Sequence, residues 1–384
     1  MMQTDIIEEL SRIEAAGLKR TLKTVDGPQG PRVIINGREF LLLCSNDYLG
    51  LANHTRLKDA AKKAIDEYGV GAGASRLVSG NTAMHEALED RIKRFKGTAA
   101  ALVFNSGYSA NIGLITALSD RHTEIFSDRL NHASIVDACA LSLAKVKRYR
   151  SRDVGSLEGL LRKSIARRKL IVTDGVFSMD GTIAPVNDIA GLLDKHNATL
   201  IIDDAHATGV LGARGKGTLE EFGVTHPSII QMGTLGKALG SFGAFVAGTK
   251  ALIDLLISKS RPFIFTTALP PAICAASIEA INIVEEEPDR RTRLKTNYEY
   301  LRAGLEAQGL QTLGSTQIIP VIAGEAEKAV KASERLLEAG VFMQAIRPPT
   351  VPAGSSRLRI TAMATHTKAD LDLAIDAIKD ALNG

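Results

Sequence analysis

The sequence predicts an α/β protein built around a mostly parallel sheet, and three observations predict it. Between about residues 46 and 285, apolar runs of strand length alternate with segments of helical periodicity, as repeated strand–helix crossovers require. Acids, histidines and small hydroxyl residues gather at the carboxyl ends of those runs, where ligands of such sheets bind. At 384 residues the chain is too long for one small core and suits one large domain with smaller lobes.

Taken in order, residues 5–22 place Ile6, Leu10 and Ile13 on one helical stripe ending near Gly17. A breaker, Gly27-Pro28-Gln29-Gly30-Pro31, precedes Val33–Ile35, Asn36-Gly37 and Phe40–Leu43, which spell a β-hairpin with a type I′ turn. Residues 1–45 therefore form a small N-terminal lobe. The large domain, 46–285, has predicted strands at Ala99–Phe104, Glu124–Ser127, Lys145–Tyr149, Leu170–Asp174, Leu200–Asp204, Ile229–Gly233, Gly243–Ala247 and Phe263–Thr266. Helical patterns such as His54–Tyr68, Thr82–Phe95 and Leu157–Ala166 lie between several of them. The break Glu285-Glu286-Glu287-Pro288 opens a C-terminal α+β domain, 286–384. Its helices (289–308, 324–339, 367–382) bracket short strands near Ile318–Ile322 and Leu358–Ile360.

Bulk composition narrows the class. A chain that is 45% hydrophobic and 23% charged reads as an ordinary soluble globular protein, and a net charge of +4 is small for its length. The densest basic stretch, Lys145–Arg152, alternates like an exposed strand end, so nucleic acid is not expected as a partner. Cys44, Cys139 and Cys274 are odd in number and widely spaced, which predicts reduced thiols, a cytoplasmic location and no zinc site. Acids follow the opening Met1-Met2-Gln3-Thr4, unlike a signal or transit peptide. Phe263–Val284 contains Pro270, Pro271 and Glu279 and reads as a strand and buried helix, so no membrane span is expected.

The strongest chemical signal is Lys237 in Gly233-Thr234-Leu235-Gly236-Lys237, with Asp203-Asp204-Ala205-His206 ending an apolar run about 31 residues upstream. A lysine flanked by glycines suits a bulky group carried on its amine. An acid at the end of a buried strand suits the nitrogen of an aromatic cation. Together they make up a pyridoxal 5′-phosphate (PLP) site, with Schiff-base lysine, pyridinium partner and phosphate hydroxyl. Ser106-Gly107-Tyr108 joins a strand to a helix and offers amides and a dipole to phosphate. Asn131-His132-Ala133-Ser134 follows another strand end, and Ser178 follows a third.

Other motifs fail on spacing. Gly69-Val70-Gly71-Ala72-Gly73 lacks G-x-G-x-x-G, and His85-Glu86 lacks the second histidine of a zinc helix. Gly236-Lys237 lacks the loop and following hydroxyl of a P-loop, and no G-x-S-x-G elbow is present.

Thr234-x-x-Lys237, Asp203-x-x-His206, Asn131-His132-Ala133-Ser134 and Val176-Phe177-Ser178-Met179-Asp180-Gly181 occur in the order in which the α-oxoamine synthases carry them. The chain resembles that family from about residue 20 to 366. The resemblance implies fold type I of the PLP-dependent transferases, the aspartate aminotransferase-like architecture. Its members join an amino acid to an acyl thioester and release carbon dioxide. Arg347-Pro348-Pro349-Thr350-Val351-Pro352 with Arg357-Leu358-Arg359 resembles the 8-amino-7-oxononanoate synthases of biotin biosynthesis, which use L-alanine and a pimeloyl thioester on coenzyme A or an acyl carrier protein.

The resemblance also implies roles. Lys237 would carry the cofactor and move the Cα proton, and Asp203, rather than Asp204, would face the ring nitrogen. His206 and Ser178 would contact the ring hydroxyl, and His132 would stack on the ring. Gly107, Tyr108 and Thr234 would hold the phosphate. Asn46 and Arg347 would hold the amino-acid carboxylate, with Arg20 and Thr350 on the acyl side. Family members are homodimers with the site at the interface. Two other readings stay open: a glycine-using relative such as 2-amino-3-ketobutyrate ligase, and a non-catalytic PLP-binding regulator of the same fold.

Overall fold

The computed structural model describes residues 2–15, 18–348 and 350–383. Gly17 and Pro349, used above as a helix stop and as half of a proline pair, lie outside the described residues. The first helix is Met2–Ala15, shorter and earlier than the predicted 5–22, and none of its side chains is buried. With no core contact to extend it, the helix rests on local propensity, which sustains few turns. Strands β1 (Arg32–Ile35) and β2 (Arg38–Leu42) form the expected hairpin. Asn36 and Gly37 take φ of 51° and 74°, the left-handed pair that a type I′ turn needs.

The central sheet is built from β3 (Ala100–Phe104), β4 (Thr123–Asp128), β5 (Lys145–Tyr149), β6 (Arg168–Asp174), β7 (Ala198–Asp203), β8 (Ile229–Thr234) and β9 (Ala244–Gly248). Their order is β3-β9-β8-β7-β6-β4-β5, and only β9 runs against its neighbours. Strands covered by helices on both faces must be apolar throughout, and β3 and β9 are buried at every residue. At the sheet edge β5 is mostly exposed, and Lys145 and Lys147 both reach Glu124 on β4. Two large cores lie about this sheet. Helices Gly107–Leu118, Ala133–Leu141 and Lys250–Lys259 contribute to one, and Ala83–Lys96 and Pro271–Glu286 to the other.

Register sets up the site. Asp174 is level with Asp203 across β6 and β7, and Asp203 with Met232 across β7 and β8. Parallel strands in this register deliver their carboxyl ends, and the loops that follow, to one side of the sheet.

The predicted strand Phe263–Thr266 is instead a helical turn, Arg261–Ile264. Pro262 sits in its first turn, where a fixed φ favours helix and no amide is needed. Phe263 packs edge-on against Phe104, with ring centroids 6.1 Å apart.

The last strands are β10 (Ile318–Gly324), β11 (Val341–Phe342), β12 (Ala345–Ile346) and β13 (Ser356–Thr361). β13 pairs antiparallel with both β10 and β12. β11 pairs with β2, so the N-terminal hairpin shares a three-stranded sheet with the C-terminal segment. Leu41 and Leu43 lie in one apolar core with Ile319, Val341, Leu358 and Leu371.

Candidate active site

Beyond the strand ends, Gly107, Tyr108, His132, Ser178, Asp203, His206, Thr234 and Lys237 line one cavity of about 140 Å³. Ser134, Asp174, Ala205 and Met232 complete it. A larger recess of about 660 Å³, lined by Gly97, Thr98, His226 and Gly248, lies at the amino-terminal ends of β3 and β8 and presents no comparable constellation.

Each wall has a local cause. Ser106 caps the helix Gly107–Leu118, its Oγ accepting from Ser109 N at 3.1 Å, while Ala110 N is taken by Ser106 O. The amides of Gly107 and Tyr108 have no protein acceptor among the described residues, as the first turn of a helix leaves them. A Cβ on Gly107 would come within 2.9 Å of the Thr234 methyl, so glycine allows the helix end to close on the Thr234 side chain. Two amides, a dipole and a hydroxyl thus meet at one anion-binding corner.

Lys237 follows β8 on a tight turn closed by Gly240 N to Lys237 O at 2.8 Å. Gly240 has φ of 59°, and a Cβ there would lie 2.4 Å from Ala52 N. Lys237 Nζ donates to Thr234 Oγ1 at 3.4 Å. Burial lowers the pKa of its ammonium, against the opposing pull of Asp203 and Asp174.

Asp203 receives Asn111 Nδ2 on Oδ2 at 2.8 Å and Ala205 N on Oδ1 at 2.9 Å. Asp204 does not line the cavity. It bonds Thr218 N at 3.0 Å and Thr218 Oγ1 at 2.5 Å, and pairs with Lys96, whose side chain is likewise fully buried. Asp174 accepts from His132 N at 3.0 Å, and burial together with nearby Asp203 holds its carboxyl well above the usual range. Asn131 ties the histidine loop to β6, donating to Val172 O and accepting from Asp174 N, at 2.8 and 2.9 Å.

His206 Nδ1 meets the Tyr48 hydroxyl at 2.7 Å. Burial, with Lys237 and Arg359 adding to it, pushes its pKa well below the ordinary value, so the ring is neutral. Asn46 Oδ1 accepts from Tyr48 Oη at 3.1 Å and from Arg359 Nη2 at 3.4 Å.

Arg359 is the residue that sequence reasoning left without a role. It is buried on β13, and its Nε donates to Ser178 O at 2.5 Å. Nη1 has no protein partner among the described residues. The available signal was Arg357-Leu358-Arg359, two arginines flanking a core leucine at strand spacing. Arg347, expected beside Asn46, lies instead with Arg20 and Thr350 in a separate groove of about 520 Å³. Its place follows from the short strand β12, where Ile346 pairs with Arg357, and from the turn that Thr350 N closes on Arg347 O at 3.1 Å.

These parts fit PLP. The helix corner suits its phosphate, Asp203 its ring nitrogen, and the half-buried Lys237 amine its aldehyde carbon, and all three line one cavity. Among the described residues no helix is long and apolar enough to cross a membrane, and no cluster of three or more His, Cys, Asp or Glu is arranged to hold a metal ion.

Fold and site together define a fold type I PLP-dependent transferase, and residues 38–378 match the family model for aminotransferase class I and II. The chain is 54% identical over 376 residues to the 8-amino-7-oxononanoate synthase of Geotalea daltonii, covering 97% of this chain and 96% of that one. It superposes on a serine palmitoyltransferase from Sphingomonas wittichii with a TM-score of 0.93 at 34% identity, covering 98% and 96% of the two chains. With the 8-amino-7-oxononanoate synthase from Francisella tularensis the TM-score is 0.78 at 30% identity, covering 90% and 98%. The chain belongs to the 8-amino-7-oxononanoate synthase family, PLP-dependent acyltransferases among the α-oxoamine synthases.

Proposed function

We propose that the enzyme condenses L-alanine with a pimeloyl thioester to give 8-amino-7-oxononanoate, carbon dioxide and the free thiol carrier, a step of biotin biosynthesis. The observation that carries the substrate choice is the 54% identity with an 8-amino-7-oxononanoate synthase over 97% of the chain. In the reaction the alanine Cα bonds to the thioester carbonyl carbon, the C–S bond breaks to release thiol, and the bond to the carboxylate breaks to release carbon dioxide.

PLP, when bound, supplies the electron sink that makes a carbanion at Cα accessible. Lys237 moves the proton: burial favours its neutral amine, which takes hydrogen from Cα and later returns it. Asp203 would provide the carboxylate that keeps the ring nitrogen protonated, while Gly107, Tyr108 and Thr234 would hold the phosphate. His206 and Ser178 would contact the ring hydroxyl, and His132 would stack on the ring; all three line the cavity. Arg359, with Nη1 to spare, and Asn46 would hold the alanine carboxylate and so orient its Cα for proton removal by Lys237. The groove holding Arg20, Arg347 and Thr350 also carries Lys19 and Lys23, a cationic lining that suits the anionic pimeloyl chain and its carrier.

The same reading makes the protein a cytoplasmic homodimer. Val70, Val78 and Phe265 are 76%, 80% and 70% exposed in the single chain, and the segments bearing them are tied together by the Ser75–Thr267 bridge. Apolar side chains left in the open on adjoining segments suit a subunit interface. Light scattering of the holoenzyme tests this, a monomer being the contrary result.

The experiment for the substrate pair offers alanine or glycine with pimeloyl-CoA or acetyl-CoA and weighs the amino ketone by mass spectrometry. Product from alanine and pimeloyl-CoA is expected. Turnover confined to glycine and acetyl-CoA would assign the chain to the ligase reaction instead.

A further inference from the structure

Asn111 is a polar residue where the helix Gly107–Leu118 otherwise presents Ala110, Leu114 and Ile115 to the core, and it is fully buried. Burying an amide is unfavourable unless its groups are bonded, and leucine would fill a comparable volume without that cost. Its Oδ1 is buried with no partner among the described residues. Packing therefore does not account for it.

Its amide nitrogen does. Nδ2 donates to Asp203 Oδ2 at 2.8 Å and to Ser134 Oγ at 2.9 Å. The orientation of the amide is forced, because a carboxylate oxygen only accepts and so must face the NH2 side. Ser134 Oγ accepts from Asn111, and among the described residues the acceptor for its own hydrogen is His132 Nδ1 at 2.8 Å. The backbone Ser134 N donates to the same Nδ1 at 3.2 Å. With two donors on it, Nδ1 is the bare nitrogen and Nε2 carries the proton. His132 lines the cavity, and its Nε2 has no protein partner among the described residues.

We infer that Asn111 is a positioning residue that sets two groups of the site with one amide: it fixes Asp203 Oδ2 and, through the Ser134 hydroxyl, locks His132 in the tautomer that offers Nε2–H to the cavity. The inference rests on the reading of this cavity as the PLP site. Burial also lowers the His132 pKa, against the opposing charge of Asp203, which favours the neutral ring. A neutral imidazole with hydrogen on Nε2 donates there and cannot take a proton there. Lys237 is then the only free base facing the cavity among these two, and His132 serves as a hydrogen-bond donor to an oxygen of the substrate or cofactor.

The test uses the holoenzyme with isotope-labelled histidine and reads side-chain nitrogen NMR, the His132 signals being assigned by their loss in His132→Asn. Wild type is expected to show the neutral Nε2–H tautomer. Ser134→Ala removes one of the two donors on Nδ1 and keeps the backbone one, so it should shift the Nδ1 resonance toward that of a less strongly bonded nitrogen and lower the share of the Nε2–H form, and Ser134→Thr should restore both. Asn111→Leu should disturb the tautomer and also weaken cofactor binding, on the order of 10- to 100-fold, for loss of one hydrogen bond to a charged group. Unchanged tautomer and affinity in Asn111→Leu would reduce Asn111 to packing. If that variant fails to fold, an unchanged Nδ1 resonance in Ser134→Ala overturns the relay by itself. Neither readout depends on the acyl substrate, so a wrong substrate pair would leave this result standing.

Discussion

Replacing Arg359 by lysine separates the two arginines that compete for the alanine carboxylate. Arg359 spends Nε on Ser178 O and Nη2 on Asn46 Oδ1, leaving Nη1 for a ligand. A lysine has one nitrogen on a flexible stem and cannot hold all three directions at once. Losing one charge-assisted contact in a buried site costs about 2–4 kcal/mol, or roughly 30- to 1,000-fold in dissociation constant. The assay is a titration of the bound cofactor's visible absorbance with L-alanine. Arg347→Lys serves as the counterpart. It should leave alanine affinity within about threefold, a surface-type effect, and raise KM for the acyl thioester. If Arg359→Lys binds alanine like wild type while Arg347→Lys does not, the carboxylate is held by Arg347, and the division into cavity and groove is wrong for the substrate-bound enzyme.

Asp203→Asn should weaken cofactor binding and shift its absorbance, whereas Asp204→Asn, just past the end of β7 and bonded to Thr218 and Lys96 outside the cavity, should leave the spectrum unchanged; the reverse pattern would exchange their roles. Lys96→Met leaves Asp204 buried without its counterion and should cost about 3–5 kcal/mol in chemical denaturation, with much of the loss recovered in Lys96→Met/Asp204→Asn. Equal stability of Lys96→Met and wild type would show the pair to be dispensable. Burial lowers the pKa values of His85, His206 and His366 below the ordinary 6.5. Below that pH the unfolded chain binds protons that the folded chain does not, so stability falls as pH drops through 6.5 toward their folded-state values. Thermal unfolding midpoints measured across that range check the slope, and a flat profile would contradict neutral buried histidines.

What the sequence made legible was local. Asn36-Gly37 dictates its own turn, and the site loops follow apolar runs whose ends are visible as Asp174, Asp203 and Thr234. Arg359 was hidden because its role depends on β13 crossing to Ser178 and Asn46, contacts spanning 181 and 313 positions of chain. Asn111 was hidden for a like reason: its partners lie 23 and 92 residues away. Phe263–Thr266 misled because a four-residue apolar run fits a strand or a buried helical turn equally well. Strands β11 and β12, two residues each, are too short to leave a pattern. The side chain of Arg347 was placed by family likeness, and it lines the groove with Arg20 and Thr350.

Carboxyl-labelled L-alanine and pimeloyl-CoA, given to the holoenzyme and to Lys237→Ala, test the central claim that the Lys237 cavity performs a decarboxylative condensation. Wild type should release labelled carbon dioxide, free thiol and 8-amino-7-oxononanoate in equal amounts, and borohydride should fix the cofactor to the peptide bearing Lys237. Lys237→Ala should lose turnover by at least about a thousandfold, since both cofactor attachment and proton transfer need that amine. Thiol release without labelled carbon dioxide, or substantial turnover in Lys237→Ala, would contradict the account.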